Sequence, residues 1–315
     1  MAKYMQTTEI PVVVAHFNNK PNYLKFALES AAKFNKTVVL IGDKTNEDLW
    51  INHWDTTIVE FDKYEKFLKY YTQMTRFSKD YENGYWKRMF MVEKWMKESG
   101  YKEVFLLDSD VMTFANYSKE IAAILSNNYM VALSAPEDQS NFRWANSCHC
   151  SYWTLAALED FTNFCIEAYI NKNIRDKIDA KWQWHLDNNK PGGVSEMTLL
   201  YLWSQVNSQV ANTAKVINDM AIDHAIKLSN NYFKNEYKMK FGVKKLIFKD
   251  GIPYGYNQIL NKEIKFLCLH CQGNAKGSMK FLYYKQLRHL YYLPPLVATI
   301  RYKTSLLIKK ITNNR

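Results

Sequence analysis

The chain has 315 residues, 47% of them hydrophobic and 23% charged, which are globular values and exclude a disordered or low-complexity polypeptide. No apolar run approaches a membrane-spanning length, Met1 to Glu9 is polar, and Ile10 to Ala15 is too short for the apolar core of a signal peptide. The net charge of +11 is local: from Lys276 onward there are nine Lys/Arg and no Asp or Glu, so the remainder is close to neutral.

This length accommodates one large α/β domain or two smaller ones, and neither an internal repeat nor a linker is visible. Five cysteines, an odd count without a signal peptide, predict reduced thiols in a cytoplasmic protein. Cys148-His149-Cys150 and Cys268-Leu269-His270-Cys271 lack the usual zinc spacing, and zinc is not expected. An aromatic content of 15% suits a carbohydrate-facing or interfacial role and equally an ordinary core.

Taken in order, Pro11 to Ala15 reads as a first strand, followed by a crevice loop His16-Phe17-Asn18-Asn19. Pro21 opens an amphipathic helix carrying Tyr23, Leu24, Phe26, Ala27, Leu28, Ala31 and Phe34. Thr37 to Ile41 is the next strand and closes at Gly42-Asp43, completing a βαβ unit. Asp43 either meets a ribose hydroxyl or caps the following turn. A third strand is expected over Thr57 to Phe61, then a helix or loop from Tyr64 to Asp80. Trp86 to Lys97 is a helix stopped by Gly100. Arg88 lies on it, either as a solvated surface residue or as a cation reaching a phosphate or sugar.

Val104 to Leu107 is a short apolar run that breaks into Asp108-Ser109-Asp110, the pattern of a strand buried on both faces. Ligand crevices in open α/β sheets lie beyond such strand ends. Residues i and i+2 of an extended chain point the same way, so Asp108 and Asp110 can converge on one hard cation, Mg²⁺ or Mn²⁺, against a diphosphate. Further on, Ile121 to Leu125 reads as helix and Tyr129 to Leu133 as strand. Asn146 to Trp153 is a polar stretch before a helix over Leu155 to Tyr169. Lys181 to Lys190, with Trp182, Trp184 and His185, reads as an exposed loop whose tryptophans either stack on a sugar or pack. Pro191-Gly192-Gly193 is a turn before a helix that Ser195-Glu196 opens. Ala211 to Gly255 holds short strands and turns, and Ile264 to Leu269 is the last core strand, closed by His270-Cys271-Gln272-Gly273-Asn274-Ala275-Lys276.

Asp108-Ser109-Asp110 at a strand end, with His270-x-x-Gly273-x-x-Lys276 after the last strand, resembles metal-dependent nucleotide-sugar glycosyltransferases of the GT-A fold. The second motif is similar to that of the glycogenin-like and galactosyltransferase-like retaining family. A closer similarity is to a bacterial group found with surface-polysaccharide genes. Its landmarks resemble Arg88-Met89-Phe90, Phe105 to Asp110, Ser147 to Trp153, Gly192 to Thr198 and Leu269 to Gly277, over roughly residues 10 to 280. Where that pattern carries Asp this chain has Glu196, and where it carries Gly this chain has Cys148.

The resemblance implies a Rossmann-like, mixed but mostly parallel sheet flanked by helices over residues 1–276, with a basic helical tail at 277–315. It implies Asp110 as the main metal ligand, Asp108 on metal, bound water or ribose, His270 as third ligand, and Lys276 on the diphosphate. His16, Asp43, Ser109 and Gly273 are expected at the nucleotide-sugar donor. Glu196 is the candidate base or sugar-positioning carboxylate, or a first-turn acid complementing its helix dipole. His149 is expected at acceptor or donor sugar, or as a buried structural histidine. The expected acceptor is a glycan or lipid-linked sugar.

Tyr283 to Arg315 alternates apolar and basic residues, with Pro294-Pro295 as a break and a basic amphipathic helix over Thr299 to Ile311. Such a helix lies on anionic lipid, each basic residue contributing about 1 kcal/mol, which would put the protein at the inner face of the cytoplasmic membrane. A nucleic-acid-binding protein is the alternative offered by the basic, tyrosine-rich tail, but no RNA-binding motif is evident and no nucleic-acid partner is expected. A sugar-nucleotide pyrophosphorylase would carry a glycine-rich loop where Ala15 to Asn19 stands.

Overall fold

The computed structural model describes residues 9–121 and 129–313. A seven-stranded sheet forms the centre: β1 (Val12–Ala15), β2 (Val38–Gly42), β3 (His53–Asp55), β4 (Glu103–Leu107), β6 (Val131–Ser134), β7 (Ser147–Thr154) and β8 (Val210–Asn212). Their spatial order is β3-β2-β1-β4-β7-β6-β8. All neighbours are parallel except β7, which runs antiparallel to both β4 and β6. This is the mixed, mostly parallel α/β arrangement expected of a GT-A domain.

The centre strands are apolar because both faces are covered. Val13, Val39, Val104 and Leu106 enter one core. It is shared with α2 (Asp62–Tyr70), α3 (Lys79–Ser99), α5 (Leu155–Ile170) and α7 (Glu196–Ser204). Val12, Val14, Leu40, Phe105 and Leu107 enter the opposite core with α1 (Asn22–Ala32). Gly100 stops α3 in the left-handed region at φ +79°, as its position predicts.

A second sheet is built from β5 (Val111–Thr113), β12 (Leu246–Lys249), β13 (Ile252–Asn257) and β14 (Lys262–His270), with β9 (Met220–Ile222) alongside β14. The small hairpin β10 (Met239–Lys240) and β11 (Val243–Lys244) stands beside it. The register sets His270 opposite Val111, so the end of the last strand meets the residue after Asp110.

Three expectations are corrected, and one stretch without an assigned element gains one. The third strand is His53–Asp55, and Thr56–Ile58 is a 3₁₀ turn that Asp55 caps through Thr57, so the apolar residues at 58 and 59 follow the strand. The polar stretch at 147–153 is a central strand, whose hydroxyls and histidine are satisfied internally. The region 181–187 is not a loop but the end of α6 (Lys172–Asp187). There Lys181 is buried, its Nζ donating to the carbonyls of Arg143 (3.0 Å) and Trp144 (3.3 Å) and to the Thr198 hydroxyl (2.8 Å). Burial pushes its pKa down to about 7. Finally, Pro294 and Pro295 sit in the first turn of α9 (Leu293–Asn313), where a missing N–H is tolerated, and start the helix instead of breaking a segment.

Ile121 follows the short α4 (Tyr117–Glu120), and the rest of the helix expected over Ile121 to Leu125 falls outside the described residues. Helix α8 (Ser278–Tyr283) packs on α1 and buries Met279 and Leu282. Tyr291 is also buried, its hydroxyl donating to the Lys244 carbonyl at 2.8 Å.

Candidate active site

A cleft of about 490 Å³ opens at the carboxyl ends of β1 and β4, lined among others by His16, Arg88, Asp108, Asp110, Glu196 and Lys276. Each side chain arrives on its own element. Asp108 to Asp110 form the turn between β4 and β5; the Asp108 N–H donates to the His149 carbonyl (2.8 Å) and the Val111 N–H to the Asp108 carbonyl (3.1 Å). The Cys271 N–H donates to the Asp110 carbonyl at 2.8 Å, which seats the His270 end of β14 against that turn.

Asp110 Oδ1 lies 3.2 Å from His270 Nε2, and Asp108 Oδ2 lies 4.0 Å from it. One donor atom from each of the three residues falls within 4.8 Å of the others, the one such metal-sized group among the described residues. Donors sharing an ion at about 2.1 Å stand no more than about 4.2 Å apart, so a contraction of some tenths of an ångström completes the set. Two carboxylates with one imidazole suit Mn²⁺ or Mg²⁺ better than a thiolate-preferring ion.

The charges explain the local titration. Burial opposes a proton on His270, but the hydrogen bond and field of Asp110 overcome it and raise its pKa to about 9. Burial likewise opposes ionisation of Asp110, yet His270 and Lys276 hold its pKa down at about 2. Lys276 Nζ is 3.5 Å from Asp110 Oδ2 and packs over the Tyr23 ring.

Arg88 is brought in by α3 and lies between two acids. It pairs with Asp108 through Nη1, and through Nη2 with Glu196 Oε1 (3.0 Å) and Cys148 Sγ (3.0 Å). Its Nε is buried with no hydrogen-bond partner among the described residues. Glu196 opens α7, and burial raises its pKa against the pull of Arg88. Of the two readings for Arg88, the solvated surface residue is the one its burial removes.

His16 spans the loop after β1, with Nδ1 3.0 Å from Ser109 Oγ and Nε2 2.8 Å from Asn19 Oδ1. Burial lowers its pKa. Asp43 does not line the cleft. It accepts from the main-chain N–H of Asn18 (2.6 Å) and Thr45 (2.9 Å), shaping the His16 loop from behind. His149 is likewise absent from the lining; it is buried behind His270, hydrogen-bonded to Ser147 Oγ (2.8 Å) and to the Asp223 carbonyl (2.9 Å). Gly273 adopts φ +61° in the turn that carries Lys276. Trp182 and Trp184 are half-buried on α6 and do not reach the cleft.

Sequence reasoning missed the tyrosines. Tyr81, Gly84, Tyr85 and Arg88 all line the cleft from α3. Their spacing of i, i+3, i+4 and i+7 is one helix face, a signal present in the sequence once the helix is extended back to Lys79. Tyr81 remains 64% exposed at the mouth.

No protein-family model matches the sequence, and no curated protein matches it. Solved structures with some likeness include mouse xyloside xylosyltransferase 1 in its apo form, at 10% identity over 65% of this chain and 85% of that one, with a TM-score of 0.45. The galactosyltransferase LgtC with donor and acceptor sugar analogues matches at 11% identity over 67% and 74%, TM-score 0.39. The bifunctional glycosyltransferase WbbM matches at 14% over 72% and 41%, TM-score 0.37. Those proteins are glycosyltransferases; at TM-scores below 0.5 the likeness bears no weight on function, which rests on the cleft.

Proposed function

We propose that this chain is a glycosyltransferase that moves a sugar from a nucleotide-diphosphate sugar to a glycan or lipid-linked acceptor. The observation carrying the proposal is the convergence of Asp108, Asp110 and His270 beside Lys276 in one cleft. A leaving diphosphate develops negative charge, and a cation site flanked by a lysine is what such a leaving group requires.

Asp108, Asp110 and His270 would hold Mn²⁺ or Mg²⁺, which supplies charge neutralisation to the diphosphate. Lys276 binds a phosphate oxygen from the other side. The bond between the anomeric carbon and the diphosphate oxygen breaks, its electron pair leaving with the phosphate, and the acceptor oxygen forms the new bond. The acceptor proton passes to a base. In a same-face, retaining transfer the departing phosphate oxygen takes it, and the His270-Gly273-Lys276 motif favours this course. Arg88 and Glu196, paired at 3.0 Å, then orient the donor sugar, with burial raising the Glu196 pKa against the pull of Arg88. A uridine donor and a role in surface-polysaccharide assembly follow from the sequence resemblance.

The tail supports a peripheral place on an anionic membrane. No helix among the described residues is long and apolar enough to cross a membrane. Val297, Ile300 and Tyr302 are exposed on α9 beside Arg301 and Lys303, an apolar and basic surface of the kind that lies on lipid.

The test is a Mn²⁺-dependent hydrolysis screen over nucleotide sugars, with Asp110→Asn alongside. Release from one donor, reduced at least about a hundredfold in the variant and abolished by chelator, is expected. An equal rate in the variant, or no metal-dependent nucleotide binding by the native chain, overturns the reading.

A further inference from the structure

We infer that Asp223 and Lys244, a fully buried ion pair behind the cleft, are positioning residues that fix the imidazole of His270 for its cation. This rests on the reading of Asp108, Asp110 and His270 as a metal site. Lys244 Nζ donates to Asp223 Oδ1 at 2.5 Å, and both side chains are 0% exposed. The other carboxylate oxygen of Asp223 accepts the main-chain N–H of His270 at 3.0 Å. The Asp223 carbonyl accepts from His149 Nε2 (2.9 Å), and the His149 ring is stacked on the His270 ring with centroids 4.5 Å apart and planes 8° from parallel. The next carbonyl, of His224, lies 2.7 Å from His270 Nδ1. A carbonyl only accepts, so Nδ1 carries a proton, and Nε2 is the nitrogen that faces Asp108 and Asp110 and is open to an ion once its own proton is lost.

One short segment thus touches His270 at three places: its N–H, its Nδ1, and the ring face through His149. Lys244 holds that segment by further bonds to the Ala225 carbonyl (2.9 Å) and Asn231 Oδ1 (3.1 Å). A pair this buried adds little net stability, because desolvating two charges offsets their attraction. What it fixes is position. Partners that orient a metal-ligating histidine typically change metal affinity 10–100-fold when removed.

The experiment measures Mn²⁺ affinity, by electron paramagnetic resonance of free ion, for the native chain, His270→Ala, the neutral pair Asp223→Asn/Lys244→Met, and all three changes together. The neutral pair is expected to weaken binding about tenfold while remaining folded by circular dichroism. Added to His270→Ala it is expected to cost nothing further, since the pair acts only through that ring; a merely structural role would add in both backgrounds. A folded neutral pair with native affinity, or an equal loss in both backgrounds, overturns the inference. If the neutral pair does not fold, Asp223→Asn alone is read in the same cycle. A native chain that binds no Mn²⁺ would instead sink the metal-site reading itself, a distinct result.

Discussion

Asp110 lies 3.2 Å from His270 and favours a proton on its imidazole against the burial that opposes one. A ligating imidazole must be neutral, so an ion and a proton compete for one nitrogen. Its folded pKa of about 9 exceeds the ordinary 6.5. The stability it contributes is therefore fully present below 6.5 and lost as pH rises through about 9. For Asp110, held down at about 2 from an ordinary 3.8, the contribution is present above 3.8 and lost as pH falls through about 2. These are two views of one pair, which is strongest between those limits. The consequence for binding has the opposite pH sense: affinity for Mn²⁺ should climb with pH up to about 9. Titration calorimetry at about pH 7.5, in buffers of different ionisation enthalpy, should find close to one proton released per ion. No release would remove His270 from the ligand set. At this scale the sequence was most legible where chemistry and strand end coincide, at Asp108, Asp110, His270 and Lys276. Asp223 and Lys244 were invisible, because they lie in a region without hydrophobic period and meet only through the docking of β9 and β11.

Elements with one clean period were readable: the apolar runs of β1, β2, β4 and β14, and the Pro21 and Gly100 boundaries. Strand β7 was not, because Ser147, His149 and Ser151 hide a central strand whose polar groups bond one another, a pattern that looks like a loop. Helix α6 was obscured similarly, since Lys181 occupies a buried position that helical pattern reading assigns to an apolar residue. The turn at Gly193 is a different case, legible by composition and exacting in structure. With φ +139°, a Cβ there would stand 2.1 Å from the Met74 carbonyl and 2.9 Å from Thr75 Cα. Gly193 also bridges to Thr75, and the Val194 N–H donates to the Met74 carbonyl at 2.8 Å. Gly193→Ala should destabilise the chain by about 2–3 kcal/mol and shift the start of α7. Denaturant melts check the first effect, and a loss of donor turnover larger than the stability change explains would check the second, through Glu196.

For the molecule as a whole, the question is how the basic tail relates to the cleft. Residues 277–292 are anchored in the body through Ser278, Met279, Leu282 and Tyr291, and the first turn of α9 is close: a Cβ on Gly277 would stand 2.8 Å from Pro294 Cβ, one residue from Lys276. A cut before Leu293 would therefore disturb the lysine as well as the tail. Removing residues 299–315 spares that contact and takes away the exposed stretch of α9 that carries Ile300, Arg301, Tyr302 and Lys303. The shortened chain should keep its donor hydrolysis rate and lose binding to vesicles containing anionic lipid, measured by co-sedimentation. Undiminished binding would make the tail an ordinary part of the fold.

The Asp108, Asp110 and His270 group, which could hold a cation, draws two side chains from the turn leaving the central sheet and the third from the end of β14 in the second sheet. Neither sheet holds the set alone, so an ion bound there would report on their docking. By thermodynamic linkage, an ion that binds only the docked form stabilises that form by RT ln(1 + [ion]/Kd), about 2.7 kcal/mol at a hundred times Kd. Mn²⁺ should accordingly raise the melting temperature of the native chain and slow proteolysis between residues 210 and 270, effects that His270→Ala should largely erase. On the proposed function such an ion would be a clasp between two layers as well as a reagent, and a chain starved of it would be the looser protein before it was the inactive one.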